Sequence, residues 1–345
     1  MIEYNKLINE IVFTQVNNIN SFNLFLFIIF ALILSVMIDI LLGELPARIH
    51  PVVIIGYIIN FFKKLFINIR NRFSGFLLVI FTAAAVSVIL FIFYMIGSLN
   101  IILLFAIFTI FLSSAFSIKM LLDTAIGVEK DLSESLDKAR ESVSYLVSRD
   151  TEELSESFIV SATIESLTEN ITDSYVAPIF YYFIFALITL FYPLSNKLYF
   201  LLLIPILYRM FNTLDAMVGY KSDELIYIGY LSAKIDDILN YIPSRIAGMY
   251  LVCSAYLLKL DGRNSFNIMM RDARNCPSPN SGYTMASAAG ALNIQLIKKE
   301  TYILGDDNKE IEIKDIENAV KLSKWTIILF TMTVILLLIV IEVIL

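Results

Sequence analysis

Three acidic side chains recur one helical turn apart in the segment ATIESLTENITDSYVAP. Glu165 and Glu169 are four residues apart and Asp173 follows at the next such step, so an α-helix would place all three on one face. Like charges at this spacing repel, and a stable fold therefore needs a cation, a metal ion or a basic ligand beside them. The alternative is a solvated face next to the membrane. An apolar segment follows at Pro178 and favours a site, because ionisable groups at a bilayer tend to be functional.

A second polar set interrupts the apolar segment YRMFNTLDAMVGY. Arg209, Asn212 and Asp215 recur every third residue and must face a polar interior, a cavity or one another. They belong either to a site or to a hydrogen-bonded clamp between spans. Asp39, inside another apolar segment, is open to the same two interpretations.

The segment RDARNCPSPNSGYTMASAAGALN could bind an anion. Arg271 and Arg274 flank Asp272, and the planar fork of arginine binds carboxylate or phosphate through two hydrogen bonds. The Pro-Ser-Pro-Asn-Ser-Gly run predicts a bent backbone leading into a helix, whose N-terminus is a ready site for anions. The Walker A, G-x-S-x-G, H-E-x-x-H and kinase patterns are all absent from the sequence.

The remaining polar residues are less informative. The segment SAKIDDILNYIPSR contains Lys234, Asp236, Asp237 and Arg245. Adjacent aspartates point to different faces of a helix, so only one of the two is expected to share a site with its neighbours. The sequence has a single histidine, His50, and two cysteines, so no zinc-ligand set is expected.

The composition is typical of a membrane protein. The 345 residues are 58% hydrophobic and 17% charged, with a mean hydropathy of +0.76, whereas soluble globular proteins have about 45–50% apolar and about 25% charged residues. The net charge of −6 gives no electrostatic footprint for nucleic acid, so we expect no nucleic-acid partner. The first twenty residues lack a basic region and a small-residue cleavage site, so no cleaved signal peptide is expected.

The apolar segments predict an all-α, polytopic membrane helical bundle. Six of them are long enough to cross a bilayer, at 22–42, 76–99, 101–122, 176–192, 199–218 and 325–345. A seventh, at 246–260, is shorter, and we favour a re-entrant or interfacial helix over a tilted span. We predict a single integral membrane domain over 1–345, with further helices outside the bilayer.

Three long connections separate these spans, at 43–75, 123–175 and 219–324. Six spans would put all three on one side, and they hold most of the lysine and arginine, which marks the cytoplasmic side. We therefore predict a multi-pass protein of the cell membrane with both termini outside and the active-site face in the cytoplasm. We also predict a helix continuing from the third span past Asp123, a second helix after Thr151, and a helix over 222–241 that stops near Pro243.

Four stretches resemble one family, in order and over most of the chain. They are HPVVIIGYII at 50–59, SRDTEELSESFIVSATIESLTENITDSYVAPIFYY at 148–182, FNTLDAMVGYKSDELIYIGYLSAKIDDILNYIPSR at 211–245 and RDARNCPSPNSGYTMASAAGALNIQL at 271–296. The family they resemble is that of the CobD or CbiB membrane proteins of cobalamin biosynthesis, the adenosylcobinamide-phosphate synthases. The chain departs from the family pattern at Cys276, where histidine is common, and at Tyr283, where tryptophan is usual. Cys276 therefore argues against an obligatory catalytic base at that position.

The resemblance implies an ATP-dependent amide ligase. Such an enzyme would join aminopropanol, as its phosphate, to a propionate carboxylate of adenosylcobyric acid, with ATP and Mg²⁺ required to activate the carboxylate. The resemblance marks Glu165, Glu169, Asp173, Asp215 and Asp237 as candidate catalytic positions but not their roles. The first three of these would also hold Mg²⁺. As a hypothesis, Asp215 or Asp237 would take the proton from the attacking ammonium group. Contacts with substrate or phosphate are implied for His50, Arg149, Asp150, Asn170, Asn212, Lys221, Arg245, Arg271, Asp272, Arg274, Ser278 and Asn280.

Two other functions stay open at this point. A transporter or corrinoid-binding membrane subunit would use Asp39 and Asp215 to line a pathway, but most spans are almost purely apolar, which counts against it. A structural factor would instead contact other membrane enzymes that act on corrinoids. The choice among aminopropanol, its phosphate and ethanolamine analogues also stays open, because these amines differ only by a methyl group or a charge.

Overall fold

A computed structural model of the chain describes residues 21–147, 150–192 and 194–345. The α-helices of these ranges are α1 (Ser21–Leu42), α2 (Pro51–Phe66), α3 (Arg72–Gly97), α4 (Ile101–Ser113), α5 (Lys119–Glu134), α6 (Leu136–Ser144), α7 (Glu156–Ile171), α8 (Ala177–Phe191), α9 (Lys197–Val218), α10 (Tyr230–Leu239), α11 (Tyr241–Leu257), α12 (Gly262–Asp272), α13 (Gly282–Leu292) and α14 (Lys314–Ile344). A π-helical turn at Thr172–Val176 joins α7 to α8, and short 3₁₀ helices lie at Ile67–Ile69 and Ala273–Asn275. The strands β1 (Leu296–Lys298) and β2 (Tyr302–Leu304) form one antiparallel hairpin.

The predicted all-α polytopic class is confirmed. Within the described residues, six helical segments are long and apolar enough to cross a membrane, namely Phe22–Leu42, Pro51–Ile69, Arg72–Gly97, Glu156–Phe191, Lys197–Val218 and Lys314–Ile344. The helix α11 lies outside this set, and its predicted re-entrant or interfacial placement stays a prediction. The orientation of the termini and loops also stays a prediction.

The predicted span at 176–192 lies within a longer helical segment that begins at Glu156, and the predicted span at 101–122 is not in this set. The apolar run 101–122 gives only the 13-residue helix α4, because the helix ends at Ser113 and the next one, α5, begins at Lys119. Ser113 and Ser114 each donate a hydroxyl hydrogen bond to a carbonyl three residues back, at 2.8 and 2.7 Å, and such local bonds compete with helix continuation. The predicted unbroken helix from the third span past Asp123 is therefore wrong.

The segment Pro51–Ile69 takes the place of that span, although the sequence predicts a connection there. Its helix begins with proline at the first helical position, where the missing N–H costs nothing. Asn60, Lys63 and Lys64 lower its mean hydropathy to 1.7, against 3.0 for Phe22–Leu42. This weaker apolar signal explains why the span escapes a prediction made from composition.

The two helices predicted after 123 and 222 are both shorter than expected. Ser135 interrupts the first, ending α5 and capping α6 by accepting a hydrogen bond from the backbone N–H of Lys138 at 3.2 Å. The second begins only at Tyr230, and Pro243 does not end it. Pro243 instead lies in the first turn of α11, where proline is tolerated. The helix predicted after Thr151 is confirmed as α7.

The chain packs as two compact units. The first contains the described residues of Met1–Ser117, Pro178–Asp236 and Val334–Leu345. Its core forms where α1 packs on α4, α2 on α3, and α9 on all three of α2, α3 and α4. The ring of Phe27 lies 5.2 and 5.1 Å from those of Phe105 and Phe108, and the Tyr182 hydroxyl donates to the Ile28 carbonyl at 2.8 Å. Aromatic packing therefore joins α1 to α4.

The second unit contains the described residues of Ile118–Ala177 and Asp237–Thr333. Its centre is α7, in which every residue from 159 to 168 is buried. The helices α5, α6 and α13 and the strand β1 surround α7, and α11 and α12 pack on α13. The approach of α13 to α12 depends on Gly290, where an added Cβ would lie 2.6 Å from the Asn264 carbonyl oxygen. A helix buried on all sides is well suited to hold polar groups away from water.

Candidate functional site

Glu165 is a buried carboxylate at the centre of the second unit. It is only 4% exposed. One carboxylate oxygen accepts from the Ser161 hydroxyl at 2.7 Å and the other from the Tyr302 hydroxyl at 2.8 Å. Ser161 in turn accepts from the backbone N–H of Ile297 on β1 at 3.2 Å. Buried carboxylates require such donors, so the hairpin and α7 together hold Glu165 in one position.

The hairpin brings further polar groups to Glu165. Glu169 is exposed one turn along α7, and its charge is close enough to interact with those of Glu165 and Lys298. Burial raises the pKa of Tyr302, and the charges of Glu165 and Glu169 add to that shift. The phenol therefore stays protonated and acts as a donor to Glu165. We call the set Glu165, Glu169, Cys276, Lys298 and Tyr302 the carboxylate cluster.

Cys276 belongs to this cluster as a buried thiol. Burial raises the pKa of its thiol to about 12, with the charges of Glu169 and Glu165 adding to the shift and a hydrogen bond with Ser281 opposing it. Thiolate, not thiol, is the reactive form of cysteine. At pH 8 the side chain is therefore neutral and inert.

Cys276→Ala is expected to change the turnover rate of the protein by less than about twofold, because an inert thiol supplies no proton acceptor or nucleophile. A thiol-alkylating reagent at pH 8 should label Cys253, which is exposed, faster than Cys276, which is buried. Mass spectrometry of peptides from the folded protein measures both rates. Faster labelling at Cys276, or loss of turnover in the variant, would contradict this assignment.

The predicted magnesium site is not assembled as three carboxylates. Within the ranges that the structure describes, no three His, Cys, Asp or Glu side chains are grouped so as to hold a metal ion. Glu165 and Glu169 lie on α7, but Asp173 lies on the π-helical turn. The hydrogen bonds of a π-helix span five residues rather than four, so the four-residue spacing no longer keeps Asp173 on the face of the two glutamates. Asn170 donates its side-chain amide to the Ser166 carbonyl at 2.8 Å.

Arg271 and Asp272 form an ion pair that also fixes the chain after β2. Arg271 donates to both oxygens of Asp272, at 2.7 and 2.8 Å, and pairs with Asp306 at 2.8 Å. The N–H of Gly305, at φ +83°, donates to Asp272 at 2.8 Å. Burial alone would raise the pKa of Asp272, but the hydrogen bonds from Arg271 and Gly305 outweigh it and lower the pKa. Arg271, predicted to bind phosphate, is thus already paired with two carboxylates.

Arg245 holds the turn that precedes α13. Its guanidinium lies 3.6 and 4.2 Å from the ring centroids of Tyr241 and Tyr283. It donates to the Asn280 side-chain oxygen at 2.9 Å and to the Pro279 carbonyl at 3.1 Å. Asn280 is buried and donates its amide to the carbonyl of Asp237 at 2.8 Å. These contacts give Arg245 a structural role in addition to the predicted contact with substrate.

The anion-binding site predicted in the turn before α13 is partly occupied by Ser278, a residue of the same turn. The Ser278 hydroxyl accepts from the backbone N–H groups of Asn280 and Ser281, at 3.2 and 3.4 Å. These are among the donors that an anion would otherwise use. Arg274 is exposed and, in the described part of the chain, makes no ion pair. It stays available for a ligand.

Arg245→Lys is expected to destabilise the protein by about 1–2 kcal/mol, because lysine cannot reproduce the planar fork or the stacking on two rings. A thermal unfolding series in detergent should show a lower Tm. Arg263→Lys is the matched control, since Arg263 is exposed on α12. Equal Tm values for the two variants would show that the contacts of Arg245 with the two tyrosine rings and with the turn contribute nothing to stability.

In the first unit, His50 caps a helix. Its Nδ1 accepts from the backbone N–H of Val52 at 3.2 Å, directly before Pro51. Burial lowers the pKa of His50, while the charge of Glu44 raises it and that of Arg209 lowers it further. The imidazole is thus neutral at pH 7, as a hydrogen-bond acceptor must be. Its predicted contact with substrate stays a prediction.

The polar residues of α9 contact one another and Asp236. Arg209 donates to the Asn212 side-chain oxygen at 3.2 Å, and the Asn212 amide lies 3.5 Å from an Asp236 carboxylate oxygen. The carbonyl of Asp215 accepts from the Gly219 N–H at 2.7 Å. Two of these contacts lie within α9 or at its end and the third joins α9 to α10, so both interpretations, a site and a clamp between spans, stay predictions. Lys221 is exposed just after this helix.

The structure describes two of the three remaining predicted residues, Asp150 and Asp237. Arg149 lies outside the described residues. Asp150 is exposed, and its carboxylate accepts from the backbone N–H of Glu152 at 3.0 Å. Asp237 is half-buried at the end of α10. The structure therefore brings Glu165 and Glu169 into one cluster, whereas the contacts described for Asp150 and Asp237 are with Glu152 and Asn280.

Three residues of the site are absent from the sequence prediction. Ser161 lies four residues before Glu165, so the helical spacing could have identified it. Lys298 and Tyr302 are cross-strand partners in the hairpin. Their turn, Lys-Glu-Thr, contains none of the Gly, Asn or Asp residues that mark hairpins in a sequence. Their proximity to Glu165 therefore had no strong local signal.

Known proteins resemble this chain over most of its length. A family model described as CobD/Cbib protein matches residues 32–323. A relative from Methanothermobacter thermautotrophicus, named "Probable cobalamin biosynthesis protein CobD", is 47% identical over 302 residues, or 87% of this chain and 95% of the relative. A relative of the same name from Methanocaldococcus jannaschii is 38% identical and covers 87% of this chain and 94% of its own length. No solved structure matches the chain. The chain therefore belongs to the CobD/CbiB protein family.

Proposed function

We propose that this protein acts in cobalamin biosynthesis as an ATP-dependent amide ligase. Its substrates would be adenosylcobyric acid and aminopropanol phosphate, and its product adenosylcobinamide phosphate. One observation carries the proposal: in a chain of this family, Glu165 is held by Ser161 and Tyr302 directly beside Glu169 and Lys298. Carboxylates near a cation are the groups needed to bind and deprotonate an amine beside an anionic partner.

The proposed reaction has two steps. The propionate carboxylate attacks the terminal phosphorus of ATP, which gives an acyl phosphate and ADP. The amine then attacks the acyl carbon, the C–N bond forms, and the C–O bond to phosphate breaks. The amine must first lose a proton, because an ammonium ion has no electron pair to donate.

The carboxylate cluster supplies groups for the second step. Glu169 is exposed and can accept the proton from the ammonium group. Glu165 has both oxygens fixed by hydrogen bonds, and its negative charge can orient the ammonium group before the proton leaves. The neutral phenol of Tyr302 keeps Glu165 in place throughout. Catalysis of this kind by a positioned base contributes about 10²–10⁴-fold to the rate.

Magnesium fits this site only as an ion held largely by its substrate. Mg²⁺ commonly binds one or two carboxylates together with substrate phosphates, and Glu165 and Glu169 are two such carboxylates on one helix face. The absence of a third described ligand agrees with that mode rather than with a closed protein cage. When bound, Mg²⁺ would neutralise phosphate charge.

The test uses the whole protein purified in detergent. With ATP, Mg²⁺, adenosylcobyric acid and aminopropanol phosphate, we expect adenosylcobinamide phosphate and ADP in equal amounts, and neither when one substrate is omitted. Chromatography of the corrinoids and a coupled ADP assay measure both products. The absence of a corrinoid product together with the absence of substrate-dependent ADP would overturn the proposal. Uptake of labelled corrinoid into vesicles without ATP hydrolysis would favour a transporter instead.

A further inference from the structure

We propose that Lys298 binds a phosphate group of a substrate beside Glu165 and Glu169. The inference rests on the proposed function and adds a residue to it. The strand β1 that carries Lys298 packs on α7, which carries the two glutamates.

The register of the hairpin turns Lys298 inward. Leu296 pairs with Leu304 and both are fully buried, so these two side chains define the inner face. Side chains two residues apart on a strand share a face, and Lys298 pairs with Tyr302 on that same face. The hydroxyl of Tyr302 reaches Glu165 at 2.8 Å. Lys298 therefore lies on the same face as the hydroxyl group that contacts Glu165, with its ammonium 6.0 Å from the centre of the Tyr302 ring.

Lys298 is the lysine of this hairpin that faces inward, and it differs from the neighbouring cations in its pairing. It is half-buried and interacts electrostatically with Glu169, yet among the described residues it forms no ion pair within 4 Å. Arg271 is already paired with Asp272 and Asp306. Lys299 is exposed, 4.9 Å from the ring of Phe158. Lys298 interacts with the charge of Glu169 but forms no direct ion pair, which leaves its ammonium group able to donate hydrogen bonds to an anionic ligand, since burying a charge is costly unless it is paired.

The arrangement also fits the proposed chemistry. An amine that loses its proton to Glu169 must lie next to Glu169, and Lys298 is the positive charge beside that position. Two anionic groups can lie there. One is the phosphate on the amino alcohol, and the other is the phosphate transferred from ATP to the propionate. Both present the same oxygen atoms to an ammonium group.

The test compares Lys298→Met with its neighbour Lys299→Met. Removing a charged hydrogen bond to phosphate is expected to raise one substrate's KM by about 10- to 100-fold in Lys298→Met. Lys299→Met should stay within about twofold of the wild type, since an exposed surface residue rarely matters. Lys298→Arg should restore most of the affinity, because it keeps the positive charge. Equal KM values in Lys298→Met and the wild type would overturn the proposal.

Two kinetic arms identify the anion. If Lys298 contacts the phosphate of the amino alcohol, Lys298→Met lowers the preference for aminopropanol phosphate over aminopropanol and leaves the KM for ATP unchanged. If Lys298 contacts the transferred phosphate, Lys298→Met slows ADP formation with both amines equally. An unchanged amine preference together with an unchanged rate of ADP formation would show that neither phosphate is bound by Lys298.

A binding measurement separates this proposal from the ligase function. Inorganic phosphate and pyrophosphate should raise the Tm of the wild type and of Lys299→Met more than that of Lys298→Met, because a ligand stabilises only a protein that binds it. If the wild type makes no amide product, the proposed function fails while this comparison still tests Lys298. Equal Tm shifts in all three proteins would count against Lys298 as an anion-binding residue.

Discussion

Glu169→Gln is expected to lower the rate of the proposed amide formation by about 10²–10⁴-fold, the usual contribution of a positioned general base. Glutamine has the shape of glutamate but cannot take a proton from the ammonium group. Glu169 is exposed on α7, so the substitution removes a charge without opening a cavity. It removes both the repulsion between Glu169 and Glu165 one turn away and the attraction between Glu169 and Lys298, two effects that oppose each other. The variant should therefore insert in the membrane and unfold at a Tm close to that of the wild type.

Steady-state assays of corrinoid product and ADP measure this effect. Glu156→Gln is the matched control, because Glu156 is an exposed glutamate in the first turn of the same helix. Its activity should stay within about twofold of the wild type, as expected for a surface residue. Wild-type turnover in Glu169→Gln would show that Glu169 has no catalytic role and would favour the alternative that the acidic residues of α7 form a solvated face. A fall in Tm alongside the loss of activity would point to a structural role instead.

Asp272→Asn is expected to lower the free energy of unfolding by about 1–3 kcal/mol at pH 7. The substitution leaves Arg271 without its partner on the same helix and weakens the hydrogen bond from the Gly305 N–H. The loss of stability should be smaller than that for breaking a fully buried ion pair, because the Arg271 side chain is 52% exposed and solvent screens its charge. Asp306→Asn is the control. Asp306 is 42% exposed, so this substitution should lower the free energy of unfolding by less than Asp272→Asn does.

The stability difference should depend on pH in one direction. The pKa of Asp272 is lower in the folded protein than its ordinary value, so its ionised form stabilises the fold. That contribution is complete above the unfolded pKa of about 3.9 and is lost as the pH falls through the lower folded value. Thermal unfolding of wild type and Asp272→Asn should differ by a constant amount from pH 7 to about 5 and converge below about pH 4. A difference that grows as the pH falls would contradict the assigned ion pair.

Local spacing predicted part of the site well. Glu165 and Glu169 follow the four-residue repeat of a helix, and the structure places them on α7. The same repeat failed at Asp173, because the chain changes to a π-helical turn at Thr172. No feature of the sequence TDSYV predicts that change. Helix type at a single turn depends on packing that a periodicity argument does not contain.

Non-local partners could not be predicted. Arg271 appears in the sequence as a candidate for binding phosphate, but Asp306, far along the chain, supplies a carboxylate for it. Tyr302 likewise reaches Glu165 across 137 positions. Such pairs depend on where the hairpin packs, and a single sequence holds no record of that. The all-α membrane class, in contrast, follows from apolar length alone, since a bilayer fixes how many apolar residues a helix needs.

The length of the hairpin turn between β1 and β2 determines which side chains of the hairpin face Glu165. Three residues, from Lys299 to Thr301, connect the strands, and Glu300 has a φ of +57°. One inserted residue would shift the pairing and turn Lys298 or Tyr302 to the opposite face. Exposed turns are usually the safest places for an epitope tag or a fluorescent label. This turn is an exception, and labels are better attached elsewhere.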